Sequence, residues 1–294
     1  MTHLQIRRFF GRFGVLTRDA EKPERSLDES TGDSVGAAMS FASNPVDGGD
    51  SGGQPGWEGV IEPVAGVLAT ESTTIDPEAA RAALAPTLWL LERANEGIRL
   101  TQTGALNRAF VREAAERWPG WWAAEVFGPP HREADVTPLL EIDGLLRAVR
   151  LIRRTGSRVA STKKGRAIQS RPPALLQILV SGLFEGDTFG TACAELAAAL
   201  LIAGVKADYS DAIPERIRPT LVAEGWQAGG EPPDVRDIGL SVAAFLRQAE
   251  AVGLFEPRKD GRGVPPSRMV LRDIGRAALL TSLHARIATS PGRR

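Results

Sequence analysis

From Ile75 onward the apolar residues fall at helical spacing broken by short extended runs, and the order of elements reads twice. Asp76-Pro77 has the form of an N-cap followed by proline at the first helical position. The helix it opens is expected to kink at Pro86 and end near Asn95 or Gly97, with Leu88, Leu91 and Ala94 as its apolar stripe. Ile98-Arg99-Leu100-Thr101 is long enough for one strand only. Helical spacing returns over 103–118 through Leu106, Phe110, Ala114 and Trp118 until Pro119-Gly120 stops it. It returns again over 138–150, where Leu139, Leu140, Leu145, Leu146, Val149 and the following Ile152 mark the buried side. Residues 151–154 and 158–161 predict two strands around Thr155-Gly156, with Thr162 capping a further helix.

The second pass predicts helices over 191–203, 211–224 and 234–252, with a short strand over 205–209 after the first of them. Leu254-Phe255-Glu256-Pro257 and Met269-Val270-Leu271-Arg272 then flank the loop DGRGVPPS, and the chain is helical from Asp273. Helix, strand, helix, helix, hairpin, helix is the order of a winged helix, a helix-turn-helix variant with a two-stranded wing. The expected fold is mainly α (α+β): two tandem winged-helix units with small two-stranded wings, over 76–172 and 173–288, after a disordered N-terminal tail over 1–75. Glycine recurs at three strand-to-helix junctions: Gly104 in LTQTG, Gly165 in ASTKKG and Gly275 in VLRDIG. The last two sit at the same step of the order and continue identically as Gly-Arg-Ala.

The 294 residues carry 36 Lys and Arg against 36 Asp and Glu, so local rather than overall charge is informative. Residues 19–62 hold ten acids against Lys22 and Arg25 in a Gly/Ser/Asp/Pro-rich background. Burial there cannot offset the entropy of ordering, which predicts disorder. This segment is read as a solubilising tail, with competition for a basic surface as the alternative. Arginines and Gly11 interrupt the apolar residues of the opening MTHLQIRRFFGRFGVLTR, against a signal peptide. No run reaches the roughly 18 apolar residues of a membrane span.

Candidate chemistry is sparse. GDSGG at 49–53 spells the nucleophile motif of trypsin-like proteases, but only His3 precedes it as a histidine and no series of strands does. The single cysteine, Cys193, excludes an internal disulfide or a cysteine-based zinc site and points to a reducing, cytoplasmic location. His131, near Glu133 and Asp135, has too few partners for a metal, and no phosphate-binding loop, dinucleotide fingerprint or paired-histidine helix occurs. No catalytic residue, cofactor or metal is expected. Trp118, Trp121, Trp122 and Phe127 read as packing rather than as a platform for bases.

The strongest signal is the run from Gly144 to Arg171, with nine cations and no acid: Arg147, Arg150, Arg153, Arg154, Arg158, Lys163, Lys164, Arg166 and Arg171. The residues expected to meet nucleic acid are Arg153, Arg154, Arg158, Lys163, Lys164 and Arg166 around the first wing. In and beside the second loop they are Arg258, Lys259, Arg262 and Arg268. Alternation along a strand means that Arg153, Arg154 and Arg158 need not share a face. The competing reading is a solvated basic face that balances residues 63–143 and 172–253, whose net charges are −5 and −6. The third helix of each unit offers Glu141 and Asp143, or Asp237, Ser241 and alanines, where base readout favours Arg, Lys, Asn or Gln. Backbone contact with duplex DNA is therefore expected, with a protein partner as the alternative; the oligomeric state stays open.

The stretch VGLFEPRKDGRGVPPSRMVLRDIGRAALL resembles the wing and following helix of bacterial winged-helix regulators of the multiple-antibiotic-resistance type. Asp260 and Arg262 match the wing pair, whereas Arg272 stands where a capping threonine is expected. From about Leu88 to Leu283, RLTQTGALNRA, the Arg-rich wing and the closing Gly-Arg-Ala are similar to an uncharacterised region of actinobacterial plasmid-ORF-3-like proteins associated with mobile elements. The resemblance implies a fold and carries over no catalytic residue. The expected function is a noncatalytic nucleic-acid-binding protein, a transcriptional or mobile-element accessory factor. The alternative is a protein–protein interaction scaffold built on winged-helix modules.

Overall fold

In a computed structural model, which describes residues 74–186, 188–207, 209–228, 230–256 and 269–289, Asp76 accepts the Ala79 N–H at 2.7 Å and opens α1 (Pro77–Ala83). The tail, its GDSGG motif, and Arg258, Lys259, Arg262 and Arg268 lie outside the described residues. The kink expected at Pro86 is a break: Leu84 leaves helical geometry and α2 (Ala85–Glu96) starts anew. Pro86 has no N–H to give to the preceding turn, and its ring crowds the carbonyl there. After β1 (Ile98–Arg99), α3 (Arg108–Arg117) begins at Arg108 rather than near 103. Gly104 takes φ +86°, which no helix admits, and Asn107 is the cap, accepting the Phe110 N–H at 3.1 Å.

Two 3-10 turns (Pro119–Trp121 and Glu133–Asp135) enclose the short α4 (Ala124–Phe127) and lead to α5 (Thr137–Ala148). The hairpin of β2 (Ile152–Thr155) and β3 (Arg158–Ser161) follows, its turn opened by Gly156 at φ +59°. Thr162 then caps α6 (Lys163–Ile168), accepting the Gly165 N–H at 3.0 Å. The three strands form one antiparallel sheet in the order β1-β3-β2, with Ile98 opposite Val159 and Ile152 opposite Ser161. The Ser161 hydroxyl donates to the Leu91 carbonyl at 3.0 Å, tying the hairpin to α2.

The apolar run after Pro172 forms α7 (Pro172–Gly182), a helix that the twofold pattern leaves unassigned; it packs against α1, α5 and α11. Next come α8 (Phe189–Ile202), α9 (Ala212–Ala223), α10 (Val235–Ala251) and α11 (Asp273–Thr289). Where the first half has strands, the second has isolated antiparallel bridges, Ala207 with Met269 and Phe255 with Leu271.

The two halves share a junction in detail. α5 and α10 each end on a valine, Val149 or Val252, followed by a left-handed residue, Arg150 (φ 60°) or Gly253 (φ 81°). Leu151 N–H then donates to Leu146 O at 2.8 Å, and Leu254 N–H to Ala249 O at 3.0 Å. Thr162 N–H closes onto Leu151 O at 2.9 Å, and Arg272 N–H onto Leu254 O at 3.0 Å. Above those carbonyls sit Gly165 and Gly275, where a Cβ would lie 2.1 and 2.3 Å from the oxygen. Gly104 plays a different part and belongs to a turn under the hairpin.

One cluster of buried apolar side chains runs from Ala80 to Leu283, and α8 lies almost wholly within it. Burying each of its Leu and Phe side chains contributes on the order of 1.5–3 kcal/mol. The end of α1 reaches the second half, where a Cβ on Gly253 would meet Ala83 O at 2.3 Å. Among the described residues, no helix is long and apolar enough to cross a membrane.

Candidate nucleic-acid interface

Strand pairing decides how the hairpin arginines are presented. Ile152 and Ser161 are paired and buried, as is Val159, so these residues mark the core face. Arg153 and Arg158 fall on the other face by alternation. Arg99 of β1, directly opposite Arg158, joins them there. All three are exposed. Arg154, opposite Val159, leaves on the core side beyond the edge of the core and remains exposed. Its Nε donates to Gly156 O at 3.2 Å.

The other cations divide by what they touch. Arg147 is consumed by Asp143, with Nε to Oδ2 at 2.8 Å. Lys164 donates to Val149 O at 3.3 Å and Arg166 to Ser161 O at 2.8 Å, so their heads turn inward to helix and strand ends while the charges stay unneutralised. Arg150, Lys163 and Arg171 are exposed. None of Arg99, Arg150, Arg153, Arg154, Arg158, Lys163, Lys164, Arg166 or Arg171 pairs with a carboxylate among the described residues. Sequence reasoning missed Arg99, because only the pairing of β1 with β3 brings it to this row.

The third helices pack against each other. α5 packs along α10, and Glu141 of α5 accepts from Arg247 Nε of α10 at 3.2 Å. Asp143 is buried on the same helix, and desolvation pushes its carboxyl up to about 6 despite Arg147. What α5 leaves to solvent is Thr137, Leu140, Gly144 and Ala148, a stripe with no long hydrogen-bonding side chain. On α10 only Arg236 and Leu240 are exposed.

The remaining candidates settle into the fabric of the protein. Trp89 stacks on Phe110 at 4.8 Å and meets Trp118 edge-on at 4.9 Å, while Trp118 stacks on Trp121 at 4.8 Å. Trp122 donates to Gly128 O at 2.6 Å and tilts against Phe127, which with Val126 is more than 60% exposed (63% and 65%). His131 and Arg132 give their backbone N–H groups to Asp135, holding that carboxyl below its usual range. No metal-binding group of His, Cys, Asp and Glu occurs among the described residues. Burial pushes the Cys193 thiol up to about 12. In the second half, Glu195 is buried against Arg286, and Glu224 is pushed up to about 8 by burial and the nearby Glu195.

Residues 81–174, from within α1 to the first turn of α7, match a family described as the Y4jL N-terminal domain. This span contains the whole sheet and the cationic hairpin. An "Uncharacterized protein y4jL" of Sinorhizobium fredii (strain NBRC 101917 / NGR234) is 36% identical over 89 residues, which is 29% of this chain and 40% of that protein. The chain thus aligns with well under two thirds of that relative's length. No solved structure matches the chain.

Proposed function

We propose that this protein is noncatalytic and binds nucleic acid along the phosphate backbone through the outward face of its sheet. The observation that carries this reading is the row Arg99, Arg153 and Arg158, exposed on one face with no carboxylate paired to it among the described residues. Both halves are read as winged-helix units, the second with bridges in place of strands. α5 packs along α10 and exposes small or apolar residues, and α10 exposes one long polar side chain, Arg236, so the proposed binding is independent of sequence. Such a protein would serve transcription or a mobile element as an accessory factor. A reducing cytoplasm suits its buried free thiol.

A fluorescence-anisotropy titration with two duplexes of unrelated sequence tests the reading. Three phosphate contacts give a log–log salt slope of about 2.7, an affinity loss of roughly 40-fold between about 50 and 200 mM salt. Both duplexes should bind alike. Absence of binding at low salt, or strong preference for one duplex, would count against it. A protein partner is the second reading, favoured by the exposed Val126 and Phe127 beside Trp122.

A further inference from the structure

The arginine that leaves the hairpin on the core side points to a second contact. A Cβ built on Gly104 would lie 2.5 Å from Arg154 Nη1 and 3.1 Å from Cζ, so the guanidinium rests on the bare Cα of that glycine. Gly104 also holds φ +86°, a conformation that other residues adopt only at a cost. The turn beneath is closed on itself. Thr101 N–H donates to Ala105 O at 2.8 Å, Gly104 N–H to Thr101 O at 3.0 Å, and Ala105 N–H to Thr101 Oγ1 at 3.1 Å. The Thr101 and Thr103 hydroxyls meet at 2.9 Å. Glu133, the nearby acid, is buried behind the turn and accepts the Leu106 N–H at 2.9 Å.

Left without a partner among the described residues are the backbone N–H groups of Gln102 and Thr103 and the Gln102 carboxamide. Thr101, Gln102 and Thr103 are all exposed. A guanidinium fixed through its Nε to Gly156 O, beside an exposed turn with unused N–H donors, matches an anion that accepts several hydrogen bonds at once. We propose that Arg154 and the turn 101–104 form a subsite for one phosphodiester of a nucleic-acid backbone, on the opposite face of the hairpin from Arg153 and Arg158. This rests on the backbone-binding reading above. Gly104 is the positioning residue, since any side chain there would lift the guanidinium away.

The test uses the full chain with Arg154→Ala, Gln102→Glu and the double variant, titrated by anisotropy against a DNA duplex and an RNA duplex of the same sequence. The duplex that binds identifies the source of the phosphodiester. Each single variant should lower the log–log salt slope by about 0.9, so that the loss between about 50 and 200 mM salt shrinks roughly threefold. The double variant should change it no further than either single one, the signature of a shared phosphate. A wild-type slope for Gln102→Glu, with or without an effect of Arg154→Ala, overturns the subsite and leaves the outward arginine row standing. Wild-type protein that binds neither duplex, whether or not it binds a polyglutamate peptide, overturns the backbone reading and the subsite together.

Discussion

Replacing Gly165 or Gly275 with alanine places a methyl carbon where a backbone carbonyl already stands. The new Cβ would lie 2.1 Å from Leu151 O in the first case and 2.3 Å from Leu254 O in the second, more than 1 Å inside ordinary contact. Neither carbonyl is free to retreat: Leu151 O accepts Thr162 N–H at 2.9 Å, and Leu254 O accepts Arg272 N–H at 3.0 Å. Overpacking costs about 1–3 kcal/mol, and the upper end applies where the obstacle is backbone. Disturbing the hydrogen bond adds about 1 kcal/mol, which helix propensity offsets by a similar amount in favour of alanine. The net loss of about 3 kcal/mol lowers Tm by roughly 6–12 °C for a folded region of this size. Gly144→Ala is the control, since that helical glycine has nothing within 4 Å of its Cβ position; it should gain about 1 kcal/mol and raise Tm by about 2–4 °C. Thermal melts by circular dichroism read all three. A rise in Tm for Gly165→Ala or Gly275→Ala would refute the steric argument. A large loss at one of them alone would refute the repeated junction.

Stability should fall as pH rises from 4.5 to about 8, because Glu224 holds its proton more tightly when folded than at its ordinary value of 4.5. Glu224→Gln removes that titrating carboxyl, so its Tm should vary less across the window and exceed that of the parent at the alkaline end. A parent Tm that climbs through the window would contradict this. The thiol of Cys193, buried and held near 12, should resist alkylation in the native protein and react on denaturation. Rapid native labelling would show that the helix around it opens.

Features set by neighbouring residues were legible in the sequence. The caps Asp76 and Thr162, the break near Pro86 and the hairpin with its glycine turn each follow from contacts within a few residues. The late start of α3 was not, since it depends on the positive φ of Gly104 beneath an arginine far along the chain. Nor was α7, whose apolar run fits neither half of the repeating order. Candidate cations were legible as a cluster, but their faces were not. Pairing of Arg99 with Arg158, and the inward turn of Lys164 and Arg166 toward backbone carbonyls, are set by long-range geometry. The charge pattern marked Glu141 and Asp143 as poor for bases without revealing that Arg247 and Arg147 already hold them.

The most direct measurement compares the parent with Arg99→Ala/Arg153→Ala/Arg158→Ala in salt-dependent duplex titrations, with a thermal melt as a check on folding. The row predicts that the triple variant keeps its melt and loses about 2.7 from the log–log slope. An unchanged slope and affinity in a folded triple variant would contradict the outward face of the sheet as the contact.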